Sequence, residues 1–371
     1  RKDCLPPVAI SLKVLFSWTN SNLPMPDRDR SPTINDVAEK AGVSKRTVSR
    51  VINRSPHVNE ATRARVLDVI RDLKFKPNRQ ARGLAASRSF LLGLIYDAPT
   101  LFINDIQKGI LSVCADAGYE LVVHACHIDS DRLIDDVVRF VDNTHIDGVI
   151  ILPPVSEIDE LADFLDKKGV HYVRFSSDLV DEPWKLVVTN YMPAITDMTG
   201  HLVKLGHRRL GFISGPRDNL SSRKRRETFV EALARYDLEL PRSMIEEGAF
   251  TYESGLRAGR QLLSRDPRPT AIFAANDEMA FGVMHAADEI GLKIPKDLSL
   301  VGFDGTSFSS FVLPALSTIR RQTDEMSRLG TQKLLALIDA GPDAARAFET
   351  MVSPQFVPRQ STGPVPTDRP L

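Results

Sequence analysis

Apolar positions in the stretch from Thr33 to Asn53, TINDVAEKAGVSKRTVSRVIN, recur at helical spacing and break once at Gly42, so the pattern predicts two short helices joined by a tight turn. Val37, Ala38 and Ala41 form the inward face of the first helix, and Val48, Val51 and Ile52 that of the second. Thr33 and Asp36 stand where a hydroxyl and a carboxylate satisfy first-turn amides. Gly42 permits a left-handed turn, and Ser44 recaps the chain. Asn59 can cap a third helix running to about Lys74, with Ala61, Ala64, Val66, Leu67, Ile70 and Leu73 facing the core. Pro77 then breaks the chain, and Asn78 can cap the short segment RQARGLAA. Gly83 costs that segment about 1 kcal/mol relative to alanine, so it is a marginal helix in isolation.

From Leu91 the pattern changes. Apolar runs LLGLIYD, ELVVHAC, GVIILP, HYVRFS, RLGFISG, AIFAAN and LSLVGFD alternate with helical stretches such as IQKGILSVCADAG and EMAFGVMHAADEIG. Fully apolar strands separated by helices predict parallel sheets covered on both faces. The 371 residues accommodate two such halves behind the small helical head. Arg1 to Pro32 contain one apolar run, Val8 to Trp18, which is short of a membrane span. Because Met25 offers a start, residues 1–32 are read as a disordered or artefactual extension.

Net charge is zero, but it is unevenly distributed. Thr33 to Arg88 holds 13 Lys plus Arg against 5 Asp plus Glu, the electrostatic footprint of nucleic-acid binding confined to one end. Lys45, Arg46, Ser49 and Arg50 share one face of the second helix, where Arg or Lys can donate to guanine O6 and N7 in a major groove that admits one helix. Hydroxyls of Thr47 and Ser49, with Asn53 nearby, suit phosphate oxygens. His57 and Asn59 are further DNA-facing candidates. Cys4, Cys114 and Cys126 lie in no metal-ligand spacing, which fits a reducing cytoplasm and no metal site.

The order of residues in the head, continued through ATRARVLDVIRDLKFKPNRQARGLA, resembles the LacI/GalR family of bacterial transcription regulators, and the resemblance extends to about Pro358. It implies a periplasmic-binding-protein type I body of two lobes around a cleft. The fold class expected is thus an all-α helix-turn-helix head plus a two-lobed α/β body with parallel sheets. The expected boundaries are a head over 33–77, a hinge helix and linker over 78–90 and a body over 91–358. Chain crossings fall near Asn190, Arg320 and Thr350, and residues 359–371 form a flexible tail. The resemblance further implies that the hinge forms over DNA when two subunits meet. Leu84 would then wedge between base steps in the minor groove, Ala81 would lie on the same face, and Arg79 would sit near phosphates.

Ligands of open parallel sheets bind beyond the carboxyl ends of strands. Tyr96, Asp97, Arg174, Ser176, Asn276 and Asp304 stand at such ends. Carried over by position, Arg223 in GPRDNLSSR matches the arginine that holds effector hydroxyls, and Asn276 in FAAND and Asp304 in VGFD match the groups facing it. Phe250 stands where an aromatic packs on the ligand. For Phe250 and Tyr96, core packing is an equal alternative. Arg174 suits either an acidic effector or a structural ion pair. The loop YDAPTLF, ending at Phe102, and the residues Thr323 and Ser176 depart from many relatives, so the pocket is expected to be particular to this chain.

The reading is a dimeric, operator-binding repressor, cytoplasmic and nucleoid-associated, controlled by a small molecule such as a sugar and needing no cofactor. A sugar-binding transport receptor is the alternative. An enzyme finds no support in the motifs, since P-loop, G-x-S-x-G and H-E-x-x-H patterns are all absent.

Overall fold

The computed structural model describes residues 32–52, 55–75 and 88–366. The chain divides into two compact units, Arg1–Arg82 and Gly83–Leu371. In the first, α1 (Ile34–Ala41), α2 (Lys45–Ile52) and α3 (Glu60–Asp72) enclose Val37, Val48, Val51, Val66, Val69 and Phe75. Gly42 closes α1 in the left-handed conformation, at φ 63°. Ser44 Oγ accepts the Thr47 amide at 3.1 Å, and Asn59 Oδ1 accepts that of Thr62 at 2.8 Å. Thr33 and Asp36 form the expected capping box, in which the Asp36 carboxylate accepts the Thr33 amide at 2.6 Å; the Thr33 hydroxyl also donates to that carboxylate at 2.8 Å. The face of α3 also differs, because Ala61, Ala64 and Leu67 are exposed. Val66, Val69 and Leu73 set the inward phase, which leaves the expected alanines on the opposite side.

The second unit holds two six-stranded sheets. Its strands are β1 (Leu91–Tyr96), β2 (Glu120–Ala125), β3 (Gly148–Ile151), β4 (His171–Ser176), β5 (Leu186–Thr189), β6 (Leu210–Ser214), β7 (Ile245–Glu247), β8 (Ala271–Ala274), β9 (Ser299–Asp304), β10 (Ser317–Arg320), β11 (Met351–Val352) and β12 (Gln355–Val357). One sheet has the order β11-β5-β4-β3-β1-β2 and the other β12-β10-β9-β8-β6-β7, with every pairing parallel except β10 with β12. This is the expected two-lobed α/β body. The central strands β3, β5, β6, β8 and β9 are wholly buried, as their unbroken apolar runs require.

The chain passes from lobe 1 to lobe 2 after β5 and returns after β10, when the Thr323–Ala340 helix packs on the Leu101–Ala117 helix and β4. The third passage falls just beyond Val352, because Met351 and Val352 pair with Val188 and Thr189 of lobe 1. The described part of the expected flexible tail is instead docked on lobe 2. Ser361 is fully buried, and its hydroxyl donates to Leu300 O at 2.6 Å and accepts the Ser317 amide at 2.7 Å. The Gly363 carbonyl meets His207 Nε2 at 3.0 Å. No described helix is long and apolar enough to cross a membrane.

Candidate functional site

Between the lobes lies a cavity of about 200 Å³, walled by the carboxyl ends of β1, β3, β8, β9 and β10 and by the N-terminal turns of three helices. Lobe 1 contributes Asp97, Thr100 and Phe102 from the turn after β1, with Pro153 and Pro154 after β3. Lobe 2 contributes Asn219, Ser221 and Arg225 from the start of the Leu220–Ala234 helix, then Phe250, Asn276 and Asp304, with Arg321 beyond β10.

Two buried guanidiniums dominate its deep end. Arg225 stacks over the Phe303 ring at 3.9 Å and donates through Nη1 to Ala275 O, while Arg321 stacks over the Phe102 ring at 3.7 Å. Asp304 lies beside Arg321, with Oδ1 3.6 Å from Arg321 Nη1, beyond hydrogen-bond reach. Asp304 Oδ1, Arg225 Nε and Arg321 Nε have no hydrogen-bond partner among the described residues. Burial pushes the Asp304 carboxyl up from its ordinary range, against the pull of both arginines. Burial also lowers the Arg321 guanidinium.

Asn276 and Phe250 are held as a unit. Asn276 Oδ1 caps the Asp277–Glu289 helix by accepting the Met279 amide at 2.9 Å, and its Nδ2 donates to Phe250 O at 2.8 Å. That bond fixes Phe250 at φ 61°, a left-handed conformation unusual for a bulky residue. The ring lies over Gly215, where any Cβ would occupy the ring's own position.

Of the sequence candidates, Asp97, Phe102, Phe250, Asn276 and Asp304 line the cavity. Five others do not. Tyr96 is packed into the lobe 1 core. Arg174 is buried in a structural network, donating to Ser156 O and to Asp159 Oδ1 at 3.0 Å, with Asp181 at 3.4 Å. Ser176 accepts the Asp178 amide at 3.1 Å. Thr323 opens the helix after the second crossing, and its carbonyl accepts the Ser327 hydroxyl. Arg223 is exposed and donates to Asp218 O at 3.1 Å.

The cavity takes Arg225 and Arg321 in place of these residues. A helical phase anchored on the buried Phe229 points Arg225 inward, one turn earlier, whereas Arg223 is two residues, about 200°, away.

In the head, the basic face is open. Lys45, Arg46 and Arg50 are exposed on α2, opposite the buried Val48 and Val51, and Ser44, His57 and Asn59 are exposed beside them. Ser49 and Thr47 are half-buried, and the Thr47 hydroxyl lies 2.9 Å from that of Ser44. Asn53, Asn78, Arg79, Ala81 and Leu84 lie outside the described residues.

Residues 33–78 match the domain described as bacterial regulatory proteins, lacI family, and residues 199–362 match the periplasmic binding protein-like domain. The chain is 32% identical to Probable HTH-type transcriptional repressor ExuR of Bacillus subtilis (strain 168) across 89% of this chain and 98% of the relative. It is 35% identical to catabolite control protein A of Priestia megaterium across 77% of this chain and 86% of that one. A solved lac repressor dimer, bound to operator and the anti-inducer ONPF, superposes with a TM-score of 0.71 at 28% identity, covering 90% of this chain and all of that chain. With a lacI-type head and near full-length relatives above 30% identity, the chain belongs to the LacI family of DNA-binding transcriptional repressors.

Proposed function

We infer that this repressor binds a nearly palindromic operator as a dimer and that a small molecule held between its lobes changes operator affinity. The observation that carries the regulatory half is the cavity itself. Groups from both lobes converge there, Asp97, Thr100 and Phe102 from one and Arg225, Phe250, Asn276, Glu278 and Asp304 from the other. A ligand touching both lobes stabilises one relative setting of them, and linkage typically transmits about 1–3 kcal/mol between such sites. The relatives support this reading: one structure of 28% identity and TM-score 0.64 is a transcriptional regulator CelR–cellobiose complex.

For the DNA half, α2 enters the major groove with Arg50 and Lys45 reading base edges, while Ser44, Thr47, His57 and Asn59 contact the backbone. A dimer is supported by the loop after β9, where Phe308, Phe311 and Leu313 are 50%, 73% and 92% exposed. A second copy is the occupant that would take this apolar patch out of water. The protein acts in the bacterial cytoplasm as a regulator rather than as an enzyme, a reading supported by its relatives, which are transcriptional regulators.

The test is operator binding by fluorescence anisotropy in the presence and absence of candidate small molecules. Arg225→Ala is expected to retain operator affinity and lose the response, and a full response would remove Arg225 from the site. Arg50→Ala should cost about 1–3 kcal/mol of discrimination at one base pair. An equal loss on specific and nonspecific DNA would refute base reading.

A further inference from the structure

A second cavity, of about 290 Å³, runs along β7, the edge strand of the lobe 2 sheet. Arg217 from the loop after β6, Arg226 from the Leu220–Ala234 helix and Arg242 from the turn before β7 all line it, and Glu247 is the one carboxylate among the lining residues. Three guanidiniums against one carboxylate leave a surplus of two positive charges. Glu247 is already committed to Arg217, since its Oε2 accepts Arg217 Nε at 2.6 Å and its Oε1 the Arg217 amide at 3.3 Å. Glu246, one residue earlier, lies on the opposite face of the strand and pairs with Arg265. Arg226 and Arg242 have no ion pair among the described residues. A concave surface lined by one sign of charge focuses its field and raises the local concentration of the opposite ion.

The rest of the lining narrows the class of anion. Leu240 and Ile245 are half-buried, packed against the lobe 2 core, and give the cavity an apolar floor. Ser214 is buried at the end of β6, and its hydroxyl meets Glu246 O only at 3.5 Å, so it can turn to a better acceptor. A carboxylate would cancel half of the surplus charge. A phosphate monoester carries about −1.5 to −2 at pH 7 and three acceptor oxygens, which matches the surplus and suits the guanidinium fork. Position gives such a ligand a consequence. The loop after β6 supplies Arg217 here and Asn219 to the interlobe cavity, and the segment after β7 runs from Glu247 here to Phe250 there. The two cavities therefore lie on the same pair of loops, which the Arg217–Glu247 bridge ties together.

We propose that this second cavity binds a small phosphate monoester, with the phosphoryl oxygens held by Arg226 and Arg242 and the carbon body laid on Leu240 and Ile245. Occupancy sets the two shared loops and so adjusts the interlobe cavity. The site stands independently of the proposed function, whereas its regulatory effect rests on the reading that the interlobe cavity controls operator binding.

The experiment is isothermal titration of the full chain, in phosphate-free buffer, with D-ribose 5-phosphate and glycerol 3-phosphate against D-ribose, glycerol and inorganic phosphate. At least one ester should bind once per chain, tenfold or more tighter than its neutral counterpart and threefold or more tighter than inorganic phosphate. Arg226→Gln and Arg242→Gln should each weaken it at least fivefold. Both side chains are exposed, so neither variant should shift the melting temperature of the unliganded chain. Inorganic phosphate binding as tightly as the esters overturns the ester assignment. Failure of both esters to bind, or affinity unmoved by either variant, overturns the site. A loss confined to Arg46→Gln or Arg225→Gln overturns it too, by placing the ester on the head or in the interlobe cavity. At matched ionic strength the ester should change operator affinity at least threefold in the native chain and leave that of Arg242→Gln unmoved. Unchanged operator affinity while the ester binds overturns the regulatory effect and leaves the site, and the response of Arg225→Ala to effector tests the interlobe reading separately.

Discussion

Glu278 of lobe 2 accepts the backbone amide of Leu101 of lobe 1 at 3.1 Å. A mirror contact runs the other way, for Glu157 of lobe 1 accepts the amide of Leu220 of lobe 2 at 3.0 Å. Leu101 and Leu220 are each the first residue of a helix, and both helices end at the cavity. The caps of these helices, Thr100 and Asn219, accept the later amides of Ile103 and Ser222. The opposite lobe therefore supplies an acceptor for a first-turn amide that the local cap does not reach. Setting the lobes together completes two helix N-termini at once, and each carboxylate is also favoured by the helix dipole it faces.

These crosswise caps predict a weaker effector site when they are removed. At about 0.3–1 kcal/mol for a charge at a helix N-terminus, Glu278→Ala and Glu157→Ala should each raise the effector dissociation constant roughly two- to five-fold by depopulating the closed setting. Titration calorimetry measures the loss, and small-angle scattering of the double variant should show an expanded body. Unchanged affinity in the double variant would mean that the caps do not bias the lobes.

Exchanging neighbouring arginines separates helical phase from sequence position. Arg223→Ala alters an exposed side chain held by Asp218 O, so effector affinity should stay within about twofold, or some 0.5 kcal/mol. Arg225→Ala empties a stack among Phe303, Tyr191 and Phe250 and removes a guanidinium from the cavity wall. Its effector affinity should fall more than tenfold, about 1.4 kcal/mol. Equal effects in the two variants would contradict the placement of the Leu220–Ala234 helix.

Much of this was legible in the chain because apolar runs and caps are local signals. LLGLIYD, GVIILP and LSLVGFD announce β1, β3 and β9 without further context. The segment STIR does not announce β10, since its Ser317 and Thr318 are buried only through distant partners: Ser317 N donates to Ser361 Oγ and Thr318 Oγ1 to Asp277 Oδ1. For the same reason Arg359–Pro366 reads as a polar tail and is in fact docked. At the site, residues at strand ends could be found by rule, as with Asp97, Asn276 and Asp304. Arg225 required the phase of its helix, and Arg321, although a crossing was expected near Arg320, required the packing that sets its guanidinium on Phe102 at the cavity. Of the two readings open for the strand-end Arg174, its packing takes the structural ion pair.

Close contact between two lobe 2 helices makes a second kind of prediction. Gly255 and Gly282 face each other's helices, and a Cβ on either would collide with backbone atoms, those of Met279 for Gly255 and of Tyr252 and Leu256 for Gly282. In an isolated helix, Gly282→Ala would be favourable by about 1 kcal/mol. Here overpacking against unyielding backbone should reverse the sign, with a net loss of about 1–3 kcal/mol. At about 2–4 °C per kcal/mol for a unit of this size, calorimetry should record a lower melting temperature by several degrees. A rise would mean that the helices can separate freely.

Asp277 gives the body a pH-dependent stability whose sign follows from its surroundings. It is fully buried, and burial, then the neighbouring Asp304, push its carboxyl up from 3.8 to about 7. Below pH 4 the folded and unfolded chains both hold this proton, and well above 7 both have lost it. Between those limits the folded chain holds more protons, so its contribution to stability falls as pH rises, by at most about 1.4 kcal/mol per unit. His207 works in the opposite direction: burial lowers its imidazole from 6.5, so its contribution grows as pH rises towards that value. The two can cancel in the native protein, and the informative quantity is the difference from Asp277→Asn. That variant remains compatible with its site because the Thr306 and Thr318 hydroxyls that donate to Asp277 can rotate to accept from an amide. Urea unfolding from pH 5 to 8 should show the native chain losing stability relative to Asp277→Asn as pH rises. Parallel curves would mean that Asp277 is already ionised in the folded state at pH 5.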